Sequence, residues 1–241
     1  MATIKEVMDE IATVGCSVAP PASWLTATST THVQLKGFLR RTVEELLDRV
    51  DWPSPITQET TITGSGAEEY ALPSDFKRLT YDDLCVYETT TTRRAGIPVT
   101  SNGAWTYLNE IGSAGGDRYY RVQGDEVNGF TISFYRNPGS GESITVSYVS
   151  RNWVQMASGT KGDSWTAATD LLLLDREIVS LGVEWRFKKK KGLPFADIMA
   201  DYEMKLSRKA NESRGLRRIN MGGPTMRSPF DIPVPDYIPS S

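Results

Sequence analysis

The chain has 241 residues, 39% of them hydrophobic and 24% charged, with a formal net charge of −3. That is enough chain for one substantial core or two small ones. No run approaches the ~20 apolar residues of a membrane-spanning helix, acids interrupt the apolar pattern of Met1–Gly15 as no secretory signal allows, and the two distant cysteines, Cys16 and Cys85, give no disulfide framework and fit a reducing cytoplasm.

The first predicted element is a short helix from Thr3 to about Gly15, with Ile4, Val7, Met8 and Ile11 at helical spacing. Thr3 and Glu6 have the spacing of a capping box. Pro20 and Pro21 open a Ser- and Thr-rich loop reaching Thr30. A longer amphipathic helix is predicted from Thr31 to about Val50, on a stripe of Leu35, Leu39, Val43, Leu46 and Val50, with Thr31 and Gln34 repeating the capping spacing. Pro53 and Pro55 stop it.

From Ile56 to about Trp153 the composition shifts to Thr, aromatic and β-branched residues between Gly clusters. Strands are predicted at Gln58–Thr63, Asp83–Thr89, Tyr119–Gln123, Phe130–Arg136 and Ser143–Ser150. Asn137–Glu142, rich in Gly, reads as a hairpin loop joining the last two. After a polar loop at Ser158–Thr169, helix returns: Leu171, Leu174, Ile178, Leu181 and Trp185 recur every three or four residues, with Gly182 on the same side to admit a close neighbour. Lys191-Gly192-Leu193-Pro194 closes that helix and opens the next. A final helix to about Ser213 aligns Phe195, Met199, Tyr202 and Leu206, and the short turn makes the pair an antiparallel αα-hairpin.

The expected fold class is therefore α+β. N-terminal helices (1–55) and the C-terminal hairpin (166–214) form a helical bundle, an antiparallel β-rich domain (56–155) is inserted, and residues 215–241 form an extended arm. That last segment holds five of the thirteen prolines yet many apolar side chains. A solvated linker lacks the second feature, whereas an arm docked in a groove on another protein wants both. Phe230, Ile232, Val234, Tyr237 and Ile238 are its candidate anchors; the alternative is a terminus that packs on its own domain.

Charge is uneven. Arg186–Arg218 holds eleven Lys or Arg against four Asp or Glu, a local +7 that leaves −10 for the rest of the chain. Lys188, Lys189, Lys190, Lys191, Arg214, Arg217 and Arg218 are the candidate basic surface, facing nucleic acid, an acidic face of another protein, or a neighbouring copy. A helix C-terminus favours cations in any case.

Nothing in the sequence points to a catalytic residue, a metal site or a cofactor. The single histidine, His32, reads as a polar first-turn residue, which rules against His-based triads and zinc motifs. The Gly-rich stretches at 64–66, 112–116 and 139–141 precede no Lys-Ser or Lys-Thr pair and read as turns. Glu44-Glu45, Glu68-Glu69 and Asp82-Asp83 point their carboxylates apart and read as solvated surface.

Two stretches carry a family resemblance: Tyr70-Ala71-Leu72-Pro73-Ser74-Asp75-Phe76-Lys77-Arg78-Leu79, and Leu171–Asp175 through Leu181-Gly182-Val183-Glu184-Trp185-Arg186-Phe187 to Lys191-Gly192-Leu193-Pro194-Phe195 and Asp201-Tyr202-Glu203. Together they resemble the adaptor (head-completion, or connector) proteins of tailed double-stranded DNA phages. The resemblance implies a non-enzymatic structural protein of the virion neck, made in the host cytoplasm. It implies a ring, a dodecamer, seated beneath the portal protein, presenting its other face to a tail or nozzle protein and leaving a channel in which DNA backbone passes. Two rivals stay open: a carbohydrate- or receptor-binding β-module on a helical stalk, with Trp105, Tyr107, Tyr119 and Tyr120 as exposed platforms, and an enzyme with two carboxylates in a deep cleft.

Overall fold

The structure, a computed structural model, describes residues 2–213 other than 83, 91–93 and 113–115. The arm residues 215–241 and Arg214, Arg217 and Arg218 lie outside the described residues.

Helix α1 (Ile4–Glu10) begins at the expected capping box: Glu6 N–H donates to Thr3 Oγ1 and Thr3 N–H donates to Glu6 Oε2 at 2.9 Å. One π-type turn, Ile11–Gly15, extends it. Helix α2 (Thr30–Arg49) is capped not by Thr31 but by Ser29, whose hydroxyl accepts from His32 N–H; Ser29 keeps the extended backbone while Thr30 and Thr31 already belong to the first turn. The loop before it is folded down. Trp24 is buried, its indole N–H donating to Asp9 at 2.6 Å and its ring lying edge-on to His32, whose Nε2 is 3.0 Å from Ala19 O.

Helix α4 (Arg176–Lys191) starts five residues later than the stripe from Leu171 suggests. Asp175 is its N-cap, accepting from Glu177 and Ile178 N–H, and Leu171–Leu172 is instead a short strand. Its buried face is consequently Ile178, Val179, Gly182, Val183 and Phe187, with Leu181 and Trp185 only half-buried. Gly192 ends it in the left-handed conformation, and α5 (Ala196–Ser213) returns alongside, burying Tyr202 and Leu206 while Met199 stays partly exposed. Helices from both ends of the chain share one core: Val7, Leu35, Leu46, Val179, Val183, Tyr202 and Leu206 lie in the same buried cluster.

The segment between them supplies two sheets. In the first, β8 (Ser143–Ser150) is central. It pairs antiparallel along one side with β1 (Thr57–Thr63), and on the other with β3 (Phe76–Leu79) and β4 (Val86–Glu88) in succession. In the second, β2 (Glu69–Ala71), β7 (Gly129–Tyr135), β6 (Tyr119–Asp125) and β5 (Ile97–Pro98) lie side by side, only β5 parallel to its neighbour. Ile132 and Phe134 of β7 meet Ile144, Val146 and Tyr148 of β8 in one core. A small sheet of β9 (Val154–Gln155), β10 (Lys161–Gly162) and β11 (Leu171–Leu172) follows.

The hairpin expected at Asn137–Glu142 is not one. β7 and β8 belong to different sheets, because facing strands bury both apolar faces against each other, whereas side-by-side strands would leave both needing a cover. The loop is a corner between sheets, pinned by Gly64 N–H to Glu142 O and Gly66 N–H to Pro138 O. The true hairpin joins β6 and β7, where Asp125 accepts from the N–H groups of Val127 and Asn128. A further element, α3 (Asn102–Ile111), lies within the region read as all strand; it buries only Trp105 and Leu108, and Gly103, Thr106 and Asn109 weaken its helical signal.

Candidate assembly surfaces

The stretch Tyr70–Leu79 joins the sheets to the helices. Asp75 accepts from Ser150 Oγ at 2.7 Å, Tyr148 Oη at 3.1 Å, Gln58 Nε2 and Asn152 Nδ2, so one carboxylate ties β3 to β8 and β1. Burial, then the charge of Asp75, pushes the Tyr148 phenol above its ordinary pKa. Phe76 is buried against Phe130 and Tyr148. Three residues on from Asp75, Arg78 reaches the other way. Its guanidinium donates to Leu47 O (2.9 Å), Val50 O (3.0 Å) and Asp51 Oδ1 (2.7 Å), filling acceptors that the end of α2 leaves open, and it lies 4.2 Å from the ring centroid of Tyr81.

The second stretch works in the same way. Arg49 of α2 holds Glu203 of α5 through two hydrogen bonds (2.9 and 2.6 Å) and Glu45 through a third (2.7 Å); Arg186 of α4 donates to Glu45, to Thr42 Oγ1 (3.1 Å) and to Gly182 O (2.7 Å). The hydrogen bond from Arg49 holds the Glu203 carboxyl below the usual carboxylate range. Burial, then the charge of Glu45, pushes the Tyr202 phenol up to about 12. Gly182 sits where three helices converge: a Cβ there would lie 2.3 Å from Thr42 Cγ2 and 3.0 Å from Tyr202 Cε2. Both stretches that carried the resemblance thus connect elements, the first the sheets to the end of α2 and the second α2, α4 and α5 to one another.

Three of the four tip lysines are engaged at the end of α4. Lys188 pairs with Glu184 at 2.7 Å, Lys189 Nζ lies 5.7 and 5.8 Å from the ring centroids of Trp185 and Phe195, and Lys191 lies 5.5 Å from that of Phe187. Lys190 is exposed and makes no ion pair among the described residues.

The sequence did not single out a groove of about 640 Å³ where α2, the β6–β7 hairpin and the loop after β10 meet. Leu39, Val43 and Leu47 form its floor, Trp153 and Trp165 one wall, and Lys36, Arg40, Lys77 and Arg151 line it beside Glu44, Glu126 and Asp163. Only the apolar–cationic alternation of α2 hinted at it; the opposite wall comes from residues more than a hundred positions away. Glu44, Glu126 and Asp163 are all exposed, and Glu44 is paired with Arg40 at 3.0 Å, so none is desolvated as a tuned acid or base would be. Among the described residues no group of His, Cys, Asp and Glu side chains could hold a metal ion, and no helix is long and apolar enough to cross a membrane. The aromatic platforms that a carbohydrate module needs are absent at three of the four proposed positions: Trp105 and Tyr120 are buried, Tyr119 is half-buried and only Tyr107 is exposed.

A model of the SU10 adaptor protein family matches residues 2–229, nearly the whole chain. No curated protein matches the sequence.

Proposed function

Because the chain belongs to the SU10 adaptor protein family, and is thereby a structural protein of the phage-adaptor type, we propose that it closes into a ring beneath the portal. There it links the DNA-filled head to the tail and leaves a channel for DNA. The match over residues 2–229 carries this reading. The stapled body supports it: helices from both chain ends share one core, and Arg78 fastens the sheets to it.

Such a subunit needs two unlike faces, since head-to-tail contacts close a ring only when patch and counter-patch differ. The basic segment, with Lys190 at the α4–α5 tip and Arg214, Arg217 and Arg218 beyond, meets an acidic face on a neighbour or on the portal. The β-rich part (56–155) faces the tail, and the helical hairpin and the arm (215–241) face the portal or neighbouring copies. The chain works by gripping other polypeptides at the virion neck rather than by catalysis. Each contact in a pressurised particle must bury on the order of 1,000 Å² or more.

Deletion of residues 219–241 tests the assignment. The shortened chain is expected to unfold at the same temperature as the full chain and to be absent from purified portal-containing particles. Normal incorporation of the shortened chain would refute it.

A further inference from the structure

We propose that the groove along α2 is the seat for Phe230–Ile238 of a second copy of this chain. This deepens the ring reading and rests on it. A volume of about 640 Å³ is that of a ligand-sized cleft, which runs at roughly 300–1,000 Å³, and its apolar floor and wall suit a segment whose side chains are Phe230, Ile232, Val234, Tyr237 and Ile238 between prolines.

Charge fixes the choice of occupant. Lys36 and Arg151 make no ion pair among the described residues; their donors reach only the backbone carbonyls of Ala27 and Phe76. Lys36 lies at the N-terminal end of the groove. Arg151 lies at the other, beside Phe76 and next to Lys77, which pairs with Asp48. From Lys36 to Leu47 the helix advances about 17 Å, at roughly 1.5 Å per residue. In the tail segment Asp231 and Asp236 stand at two positions of one sequence, Phe230-Asp231-Ile232-Pro233-Val234-Pro235-Asp236-Tyr237-Ile238. An extended Pro-rich chain separates them by about 16 Å, at roughly 3.1 Å per residue. The two carboxylates are thus spaced about as far apart as that stretch of the groove is long, with Ile232 and Val234 between them to meet its apolar floor. Nucleic acid fits worse, since Glu44, Glu126 and Asp163 on the same rim repel phosphates.

A second copy follows from the ring reading, because arm and groove are unlike surfaces of one chain. The residues between Ser213 and Phe230 reach roughly 55 Å when extended, a span that lets the arm cross to a neighbouring copy. Arm and groove form a head-to-tail pair, the kind of contact that closes a ring.

The test places the photo-reactive residue benzoylphenylalanine at position 230 of the full chain, in portal-containing particles assembled from mixed isotope-labelled and unlabelled copies. Crosslinks are expected between differently labelled chains, from position 230 to peptides of α2 or of the loop bearing Trp165. Lys36→Glu with Arg151→Glu should lower their yield about five- to tenfold, as loss of two exposed ion pairs implies, and adding Asp231→Lys with Asp236→Lys should restore it. Gly37→Phe is the control that leaves the charges alone: a Cβ there meets nothing within 4 Å, so the ring fills the groove without disturbing the core and should abolish the crosslink. Crosslinks confined to single chains, crosslinks elsewhere, or yields indifferent to these changes overturn the groove seat. Particles that lack the chain altogether overturn the ring reading beneath it.

Discussion

Asp75 and Arg78 lie three residues apart and pull in opposite directions, one into the sheets and one onto the end of α2. Arg78 and Asp51 are both largely buried, with side chains 17% and 12% exposed, so removing either leaves an uncompensated charge. Arg78→Ala should cost about 3 kcal/mol in urea unfolding, the scale of a broken buried pair. Arg78→Lys should recover little of it, because one ammonium cannot reproduce a fork that serves Leu47 O, Val50 O and Asp51 together. Full stability of the lysine variant would show that Arg78 contributes charge alone. The sequence displayed this stretch as a resemblance, but its hydrogen-bond partners lie some thirty residues upstream at the end of α2 and some seventy downstream in β8, where no local pattern points. The same holds for His32: its place in the first turn was legible, its contact with Trp24 was not.

At the scale of elements, helices were legible where side chains repeat every three or four residues between caps, as in α2 and α5, and less so where a stripe ran past a cap. The spacing from Leu171 continued the pattern of α4, but the carboxylate of Asp175 and the pairing of Leu171–Leu172 with β9 decided where the helix began. Strands β6, β7 and β8 showed their alternation plainly. Their partners did not, because alternation gives each strand a buried face without saying what faces it. The role of Gly182 was legible as a small residue in a stripe, and the structure supplies its two neighbours. Gly182→Ala should destabilise by ~1–3 kcal/mol through overpacking against Thr42 and Tyr202. Adding Thr42→Ser removes the nearer methyl while keeping the hydroxyl that Arg186 uses, and should return part of that loss in thermal unfolding. An additive pair of effects would mean that α2 and α4 do not meet there.

For the whole molecule, composition excluded more than it assigned. The α+β class and the shared core of the two chain ends followed from the order of elements; the groove did not, since it is lined by α2, the β6–β7 hairpin and the loops after β8 and β10, which only the folded chain brings together. In the proposed function this chain acts by assembling on a portal. Native mass measurement of the purified chain, alone and mixed with its portal, tests this most directly. A single copy of 26.7 kDa is expected alone, and a closed ring bound to the portal in the mixture. A chain that stays single-copy and unbound in the presence of the portal would contradict it.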